Sequence, residues 1–182
     1  MLRSYKAFYE NAAQDLAASW PSASSLRKIW YLCIEPGLRA VMLIRVQILV
    51  EDIGLMPIAR VIRYRNFRAH GIDWVNGARA EGGLVIRHTS GVVVGHQVSI
   101  GKNATLLQNV TLGQKSISTS DQGQENPTLG NGIVVGCGAA ILGSIHLGDN
   151  CVVGANSVVT RNVSSGSRVV GSPARTIENR KK

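Results

Sequence analysis

Between Val92 and Val163 the chain repeats every six residues, with one interruption. An aliphatic residue opens nearly every hexad: Val94, Ile100, Leu106 and Leu112, then Leu129, Val135, Ile141, Leu147, Val153 and Val159. A glycine usually follows the opener (Gly95, Gly101, Gly113, Gly130, Gly136, Gly148, Gly154). Four places after the opener stands a second apolar residue, small or β-branched, such as Val98, Ala104, Val110, Ile133, Ala139 or Cys151, with Ser157 the polar exception. No amphipathic helix has a period of six, and a lone strand has a period of two. A hexad repeat this long predicts a mainly β chain built as a parallel β-helix, whose short strands and turns stack coil on coil. The openers are expected to point inward, and the glycines to permit a tight turn at each corner. Leu142 and Thr160 take the glycine place eighteen residues apart, which predicts three faces per coil.

Composition bears on what such a solenoid can do. The 182 residues suffice for one core, and the 20 glycines and 5% aromatics suit a narrow β interior. Cys33, Cys137 and Cys151 have no metal-ligand spacing, and their odd number speaks against a disulfide framework. No signal peptide and no bilayer-length apolar run is visible, so the cytoplasm is the expected compartment. The net charge of +9 invites a nucleic-acid partner, yet no recognition motif accompanies it, and no nucleic acid is expected.

Residues 1–70 read as a helical segment and 71–182 as the β-helix with its tail. Tyr5, Phe8, Tyr9, Ala12 and Leu16 make one apolar helical face. Pro21 breaks it, and Ser22, Ser24 and Ser25 can cap a second helix with Leu26, Ile29, Trp30 and Cys33. A third helix follows over 38–50. A fourth, over 58–70, carries Arg60, Arg63, Arg65 and Arg68 beside Ile62 and Phe67. Such a charge run is ordinarily a solvated face, and the sharper reading is a peripheral membrane or acidic-partner contact. The interruption at 114–127 is polar and cannot fill core, which makes it the first place to seek a substrate wall.

Several runs carry a resemblance: His88-Thr89-Ser90-Gly91-Val92-Val93-Val94-Gly95, Leu107-Gln108-Asn109-Val110-Thr111-Leu112-Gly113, and Gly171-Ser172-Pro173-Ala174-Arg175. With the hexads, they resemble the serine acetyltransferase branch of the hexapeptide-repeat acyltransferases, from about residue 36 to 177. The resemblance implies a left-handed β-helix, a homotrimer with active sites between subunits, and acetyl-CoA as donor, without a metal. It also implies His88 as catalytic base and Asp73 as the residue that orients it. Gly113, Cys137 and Ala155 match positions lining the CoA arm, and Gln114, Lys115 and Arg175 are placed in the same cofactor-binding set. No histidine pair has ligand spacing, so no metal site is expected.

An alcohol attacks a thioester only as a base takes its proton, and imidazole both takes it and returns it to the departing thiolate. His88 fits that need. His96 and His146 lie off the inward positions and are expected in solvent. The chain also departs from the serine enzymes. Arg87 stands where they carry an aspartate, and Glu125 and Asn126 where they carry arginine and histidine. Their helical segment is longer, and the isoleucine ending of the serine enzymes is replaced by lysines. Taking Arg87, Glu125 and Asn126 as the acceptor-binding set, the expected acceptor is a sugar or glycan hydroxyl in polysaccharide biosynthesis. A serine O-acetyltransferase of cysteine biosynthesis and a non-catalytic trimeric scaffold are the alternatives. Trp74, near the junction of the two segments, is expected at the subunit interface.

Overall fold

A computed structural model describes residues 2–115 and 126–177. Four helices come first: α1 (Leu2–Ser19), α2 (Ser25–Ile34), α3 (Pro36–Asp52) and α4 (Met56–His70). Pro36 and Pro57 sit in the first turns of α3 and α4, where the missing N–H costs nothing. Gly71 closes α4 in the left-handed conformation (φ 68°), its N–H bonded to the Phe67 carbonyl.

The chain then winds a left-handed parallel β-helix of about four coils. With strands numbered along the chain, face A stacks β1 (Ile72–Trp74), β4 (Val92–Val94), β7 (Thr111–Gly113), β10 (Ala140–Leu142) and β13 (Val158–Val159). Face B stacks β2 (Arg79–Ala80), β5 (Ser99–Ile100), β8 (Thr128–Leu129) and β11 (His146–Leu147). Face C stacks β3 (Val85–Ile86), β6 (Thr105–Leu106), β9 (Val134–Val135), β12 (Val152–Val153) and β14 (Arg168–Gly171), with β15 (Ala174–Ile177) antiparallel at its edge. Register reports the insertions. Val93 lies on Thr111 at the three-hexad interval, but Ser99 lies on Thr128, because the polar loop is extruded between β7 and β8.

The hexad openers are all buried in one core that runs on into Ala40, Val41 and Ile44 of α3, so α3 plugs the open end of the first coil. The glycines after the openers do something other than turn. Their φ is not positive; except for Gly113, which faces open space, they lie where the next coil passes close to the place of a side chain. A Cβ on Gly136 would sit 2.6 Å from the Ala155 nitrogen, and one on Gly148 2.6 Å from that of Ser165. The left-handed residues come two places later, where glycine and asparagine alternate from coil to coil. Gly83, Asn103, Gly132, Asn150 and Gly166 run up the B/C corner, and Gly91, Asn109, Gly138 and Asn156 up the C/A corner. Each asparagine carboxamide folds into the space a Cβ on its glycine neighbour would fill, which is why the two residue types alternate.

Two expectations fail in the first coil. Trp74 is not an interface residue: it is wholly buried at an opener position, and its indole N–H donates to the Ala78 carbonyl at 3.3 Å. The small Ala78 and Ala80 in the same coil leave the room this large ring fills. Nor does α1 bury the aromatic face its spacing predicts; Tyr9 is 69% exposed. The helix docks by its last turns through Asp15, which is wholly buried. The Asp15 carboxylate accepts from Arg45 Nε (2.7 Å) and Nη2 (3.0 Å) and from the Gly83 and Leu84 amides (both 2.8 Å). Arg45 also donates to the Ala80 and Glu81 carbonyls. α1, α3 and the first coil therefore share one fully bonded buried ion pair.

Candidate active site

His88 owes its position to a C/A corner two residues longer than those of the later coils. From Leu106 the second coil reaches its left-handed Asn109 through Leu107 and Gln108, whereas the first coil goes from Ile86 to Gly91 through Arg87, His88, Thr89 and Ser90. The extra length bulges outward. His88 itself is left-handed (φ 60°) and exposed, a conformation a non-glycine residue adopts at a cost of about 1–3 kcal/mol. The bulge faces the helical segment across a cavity of about 470 Å³, lined by Arg87, His88, Thr89 and Ser90 below and by Ser19, Trp20, Glu35 and Gly37 above. Trp20 is stacked on Tyr31 (centroids 4.2 Å apart, rings 13° from parallel), which steadies that wall.

Asp73 is brought near this corner in sequence register but is held elsewhere. It points out of face A and accepts two bonds from Arg63 of α4, from Nε at 2.6 Å and Nη2 at 3.0 Å. It opens on a second cavity of about 280 Å³ with Arg60, Tyr64 and Phe67, separate from that of His88. Among the described residues no hydrogen bond joins Asp73 to His88.

The remaining expected site residues divide between two corners. Cys137 and Ala155 lie on the C/A corner with His88, on later coils, and the Asn156 amide donates to the Cys137 carbonyl at 2.8 Å. Gly113, Gln114 and Lys115 leave face A at its other edge, where Gly113 faces open space and Lys115 lies against Gly143. Asn126 is at that edge too, 4% exposed beside Gly95, and its amide oxygen has no partner among the described residues. Arg175 is exposed on the closing β15. Glu125 lies outside the described residues, as does most of the 114–127 loop. Of the described members of the expected acceptor set, Arg87 and not Asn126 joins His88 at one cavity within a chain.

Sequence reasoning missed two residues here. Glu35, half-buried just before α3, lines the His88 cavity, and no pattern in the sequence links it to that corner. Gln108 stands on the C/A corner in the coil between His88 and Cys137, and its side-chain oxygen is buried without a partner among the described residues. It was visible in the Leu107–Gly113 run, without a role attached. His96 and His146 are exposed as expected, and a 2.6 Å contact to the Asn76 carbonyl puts the His96 proton on Nδ1.

Two titratable groups mark the junction of helices and coil. Burial raises the Glu51 pKa, but bonds from Arg79, Gln47, Asn76 and the Gly77 amide outweigh it and hold the carboxyl below its ordinary 4.5. Burial, helped by the positive charge of Arg39, holds His70 below 6.5. Among the described residues no three His, Cys, Asp or Glu side chains gather as a metal site, and no helix is long and apolar enough to cross a membrane.

Comparison with known proteins adds names to this geometry. The family profile "Bacterial transferase hexapeptide (six repeats)" matches residues 126–161. Serine acetyltransferase of Helicobacter pylori is 38% identical over 146 residues, covering 80% of this chain and 84% of the relative. The Synechococcus elongatus serine acetyltransferase is also 38% identical, and there the match spans 59% of the relative. Among solved structures, soybean serine acetyltransferase complexed with serine superposes with a TM-score of 0.85 at 32% identity, covering 94% of this chain and 70% of that one. The Neisseria gonorrhoeae serine acetyltransferase superposes at 0.87 with 30% identity, over 100% of this chain and 69% of that one.

Proposed function

This chain belongs to the serine acetyltransferase-like hexapeptide-repeat acyltransferases, and on that premise we propose that it moves an acetyl group from acetyl-CoA to the hydroxyl of L-serine. The glycan acceptor expected from the sequence finds no support among these relatives. The observation that carries the serine reading is the charge pair in the His88 cavity. Arg87 and Glu35 both line that cavity, one cationic and one anionic residue, and neither has an ion-pair partner among the described residues. A zwitterionic amino acid satisfies both, its carboxylate on Arg87 and its ammonium on Glu35. The sign reversal at Arg87 is thus offset by a carboxylate from the helical segment.

In this reading His88 takes the proton of the serine hydroxyl as it attacks the thioester carbonyl, and hands it to the departing thiolate. Gly113, Gln114, Lys115, Cys137, Ala155 and Arg175 would hold the CoA arm. Gly113 faces open space and Ala155 is exposed, so the backbone at both is open to a long, thin ligand. The two groups flank opposite edges of face A, so a single groove containing both forms where two copies lie side by side. Part of the outward surface fits such packing: Val93, Ala140 and Val158 on face A, and Val134 and Val152 on face C, are apolar, among the polar Asp73, Thr111, Thr105 and Arg168. A homotrimer closes this arrangement. Asp73 would orient His88 once Arg63 releases it.

The test is an acceptor comparison that follows the thiol released from acetyl-CoA, with L-serine and neutral and acidic sugars side by side. L-Serine is expected to have the highest kcat/KM, and Glu35→Gln or Arg87→Ala to raise its KM about 10–100-fold, the worth of one charge-assisted bond, with a smaller effect on kcat. A sugar that outperforms L-serine, with Glu35→Gln silent, restores the glycan reading.

A further inference from the structure

The outer surface of α4 lends Arg60, Tyr64 and Phe67 to the rim of the Asp73 cavity, and the rest of its makeup has no role above. Its inner side is fully engaged: Ala59, Asn66 and His70 are buried, Asn66 donates to the Ala40 carbonyl of α3 at 3.1 Å, and Arg63 turns inward to Asp73. What remains outside is unusual for a solvated face. Ile58, Val61, Tyr64 and Phe67 are 49%, 58%, 60% and 52% exposed, and steps of three residues wind them over the half of the helix opposite Ala59, Asn66 and His70, from Ile58 on one flank to Phe67 on the other. Arg60, Arg65 and Arg68 stand among them, exposed. The helix has no acidic residue, and among the described residues none of these three arginines has a carboxylate within ion-pair distance. Arg68 instead lies 6.0 Å from the Tyr64 ring.

We propose that α4 lies flat on an anionic lipid surface, its apolar and aromatic side chains entering the headgroup boundary and its arginines meeting the phosphates. Apolar area and cationic charge on one side of a helix are the two terms that drive interfacial binding. Aromatic rings favour that boundary because one end of it is apolar and the other wet. The helix is about 22 Å long at 1.5 Å per residue, and Val61, Tyr64 and Arg68 stand at the middle of its outer half, with Ile58 and Phe67 on its flanks. A second copy is the poorer occupant, because a symmetric contact through this arc would set Arg65 and Arg68 of one copy against those of the other. The chain's net charge of +9 acts in the same direction, drawing the protein toward negative surfaces.

The experiment is co-sedimentation of the full chain with vesicles of phosphatidylcholine alone or mixed equally with phosphatidylglycerol, at low and high salt. The parent is expected to pellet with the anionic vesicles at low salt, to be released at high salt, and to ignore phosphatidylcholine alone. Arg65→Gln with Arg68→Gln should lower partitioning about twenty-fivefold, roughly fivefold per arginine, with the far-UV circular dichroism and the solution mass unchanged. Val61→Ser with Phe67→Ser should weaken binding without removing its salt dependence. A parent that stays in solution with anionic vesicles overturns the proposal, as does arginine-independent binding. A change of solution mass in the Arg65→Gln, Arg68→Gln variant overturns it too, since the arc is then a self-contact.

Discussion

The first and fourth coils share one architecture and have almost nothing else in common. The fourth is pure repeat: Ile141, Leu147 and Val153 open its three faces, all buried, at an eighteen-residue interval from the coil before it at β11 and β12. The first is full of exceptions. It is plugged by an indole, clamped by the buried Asp15–Arg45 pair, edged by Glu51, and swollen by two residues at the corner that bears His88. The lesson is a division of labour. A coil held by stacked neighbours on both sides can be regular and interchangeable, whereas the terminal coil must meet a different partner and can hold a bulge that a helix roofs.

The comparison is broken most severely at the clamp. Asp15→Ala leaves the Arg45 guanidinium buried and unpaired, so stability should fall by about 3–5 kcal/mol in chemical denaturation. Hydrogen exchange should rise first in α1 and the first coil while the fourth coil keeps its protection. Uniform loss of protection would mean that the two regions are a single cooperative unit and that the division is only geometric. Ile141→Ala strikes the other side. A buried aliphatic side chain truncated in a tight stack should cost about 2–5 kcal/mol, with exchange rising throughout the later coils. Gly136→Ala should cost less, about 1–3 kcal/mol, because the backbone must part from Ala155 to admit one methyl. No effect there would refute the close-stacking account of the glycine that follows each opener.

The smallest effect lies at the junction and depends on pH. His70 is held neutral in the folded chain below the 6.5 at which it protonates when unfolded. The unfolded state therefore binds more protons in that window, so stability should fall as pH drops through 6.5 and level off beneath the lowered pKa. His70→Gln should flatten this step in pH-dependent melting. The Glu51 carboxyl adds a lower step: its stabilisation is complete above 4.5 and is lost as pH falls through its depressed value. A profile unchanged by His70→Gln would show that the histidine does not report on the junction.

These contrasts also sort what the sequence could reveal. The period of six identified the fold because each opener is buried by its counterpart in the next coil, a relation that repeats at one fixed separation. The four helices were legible from their punctuation, at Pro21, Pro36, Pro57 and Gly71. The glycines were read for the wrong reason, since stacking distance between coils leaves no mark that differs from turn chemistry. Asp15 carried no signal because its partner stands thirty residues away, and Glu35 was invisible because α3 had first to be laid over the corner. Arg63 was read as part of an exposed run, whereas it is the residue that holds Asp73. Trp74 was assigned to an interface because the repeat sets no expectation for a coil that is capped rather than stacked. Where a side chain answers to its own coil's successor, the sequence is transparent; where it answers to a helix folded over from another part of the chain, it is not.

The central claim is that chemistry resides at the bulged corner of the first coil, in His88. It is tested most directly by measuring acetyl-CoA turnover with L-serine in the parent and in His88→Ala, with thermal melting in parallel. The account predicts turnover lowered by about 10²–10⁴-fold, the usual worth of a general base, with a melting temperature close to the parent's, because the exposed imidazole holds no core contact and alanine keeps the same left-handed backbone. Near-parental turnover from a folded His88→Ala protein would contradict it and move the base elsewhere.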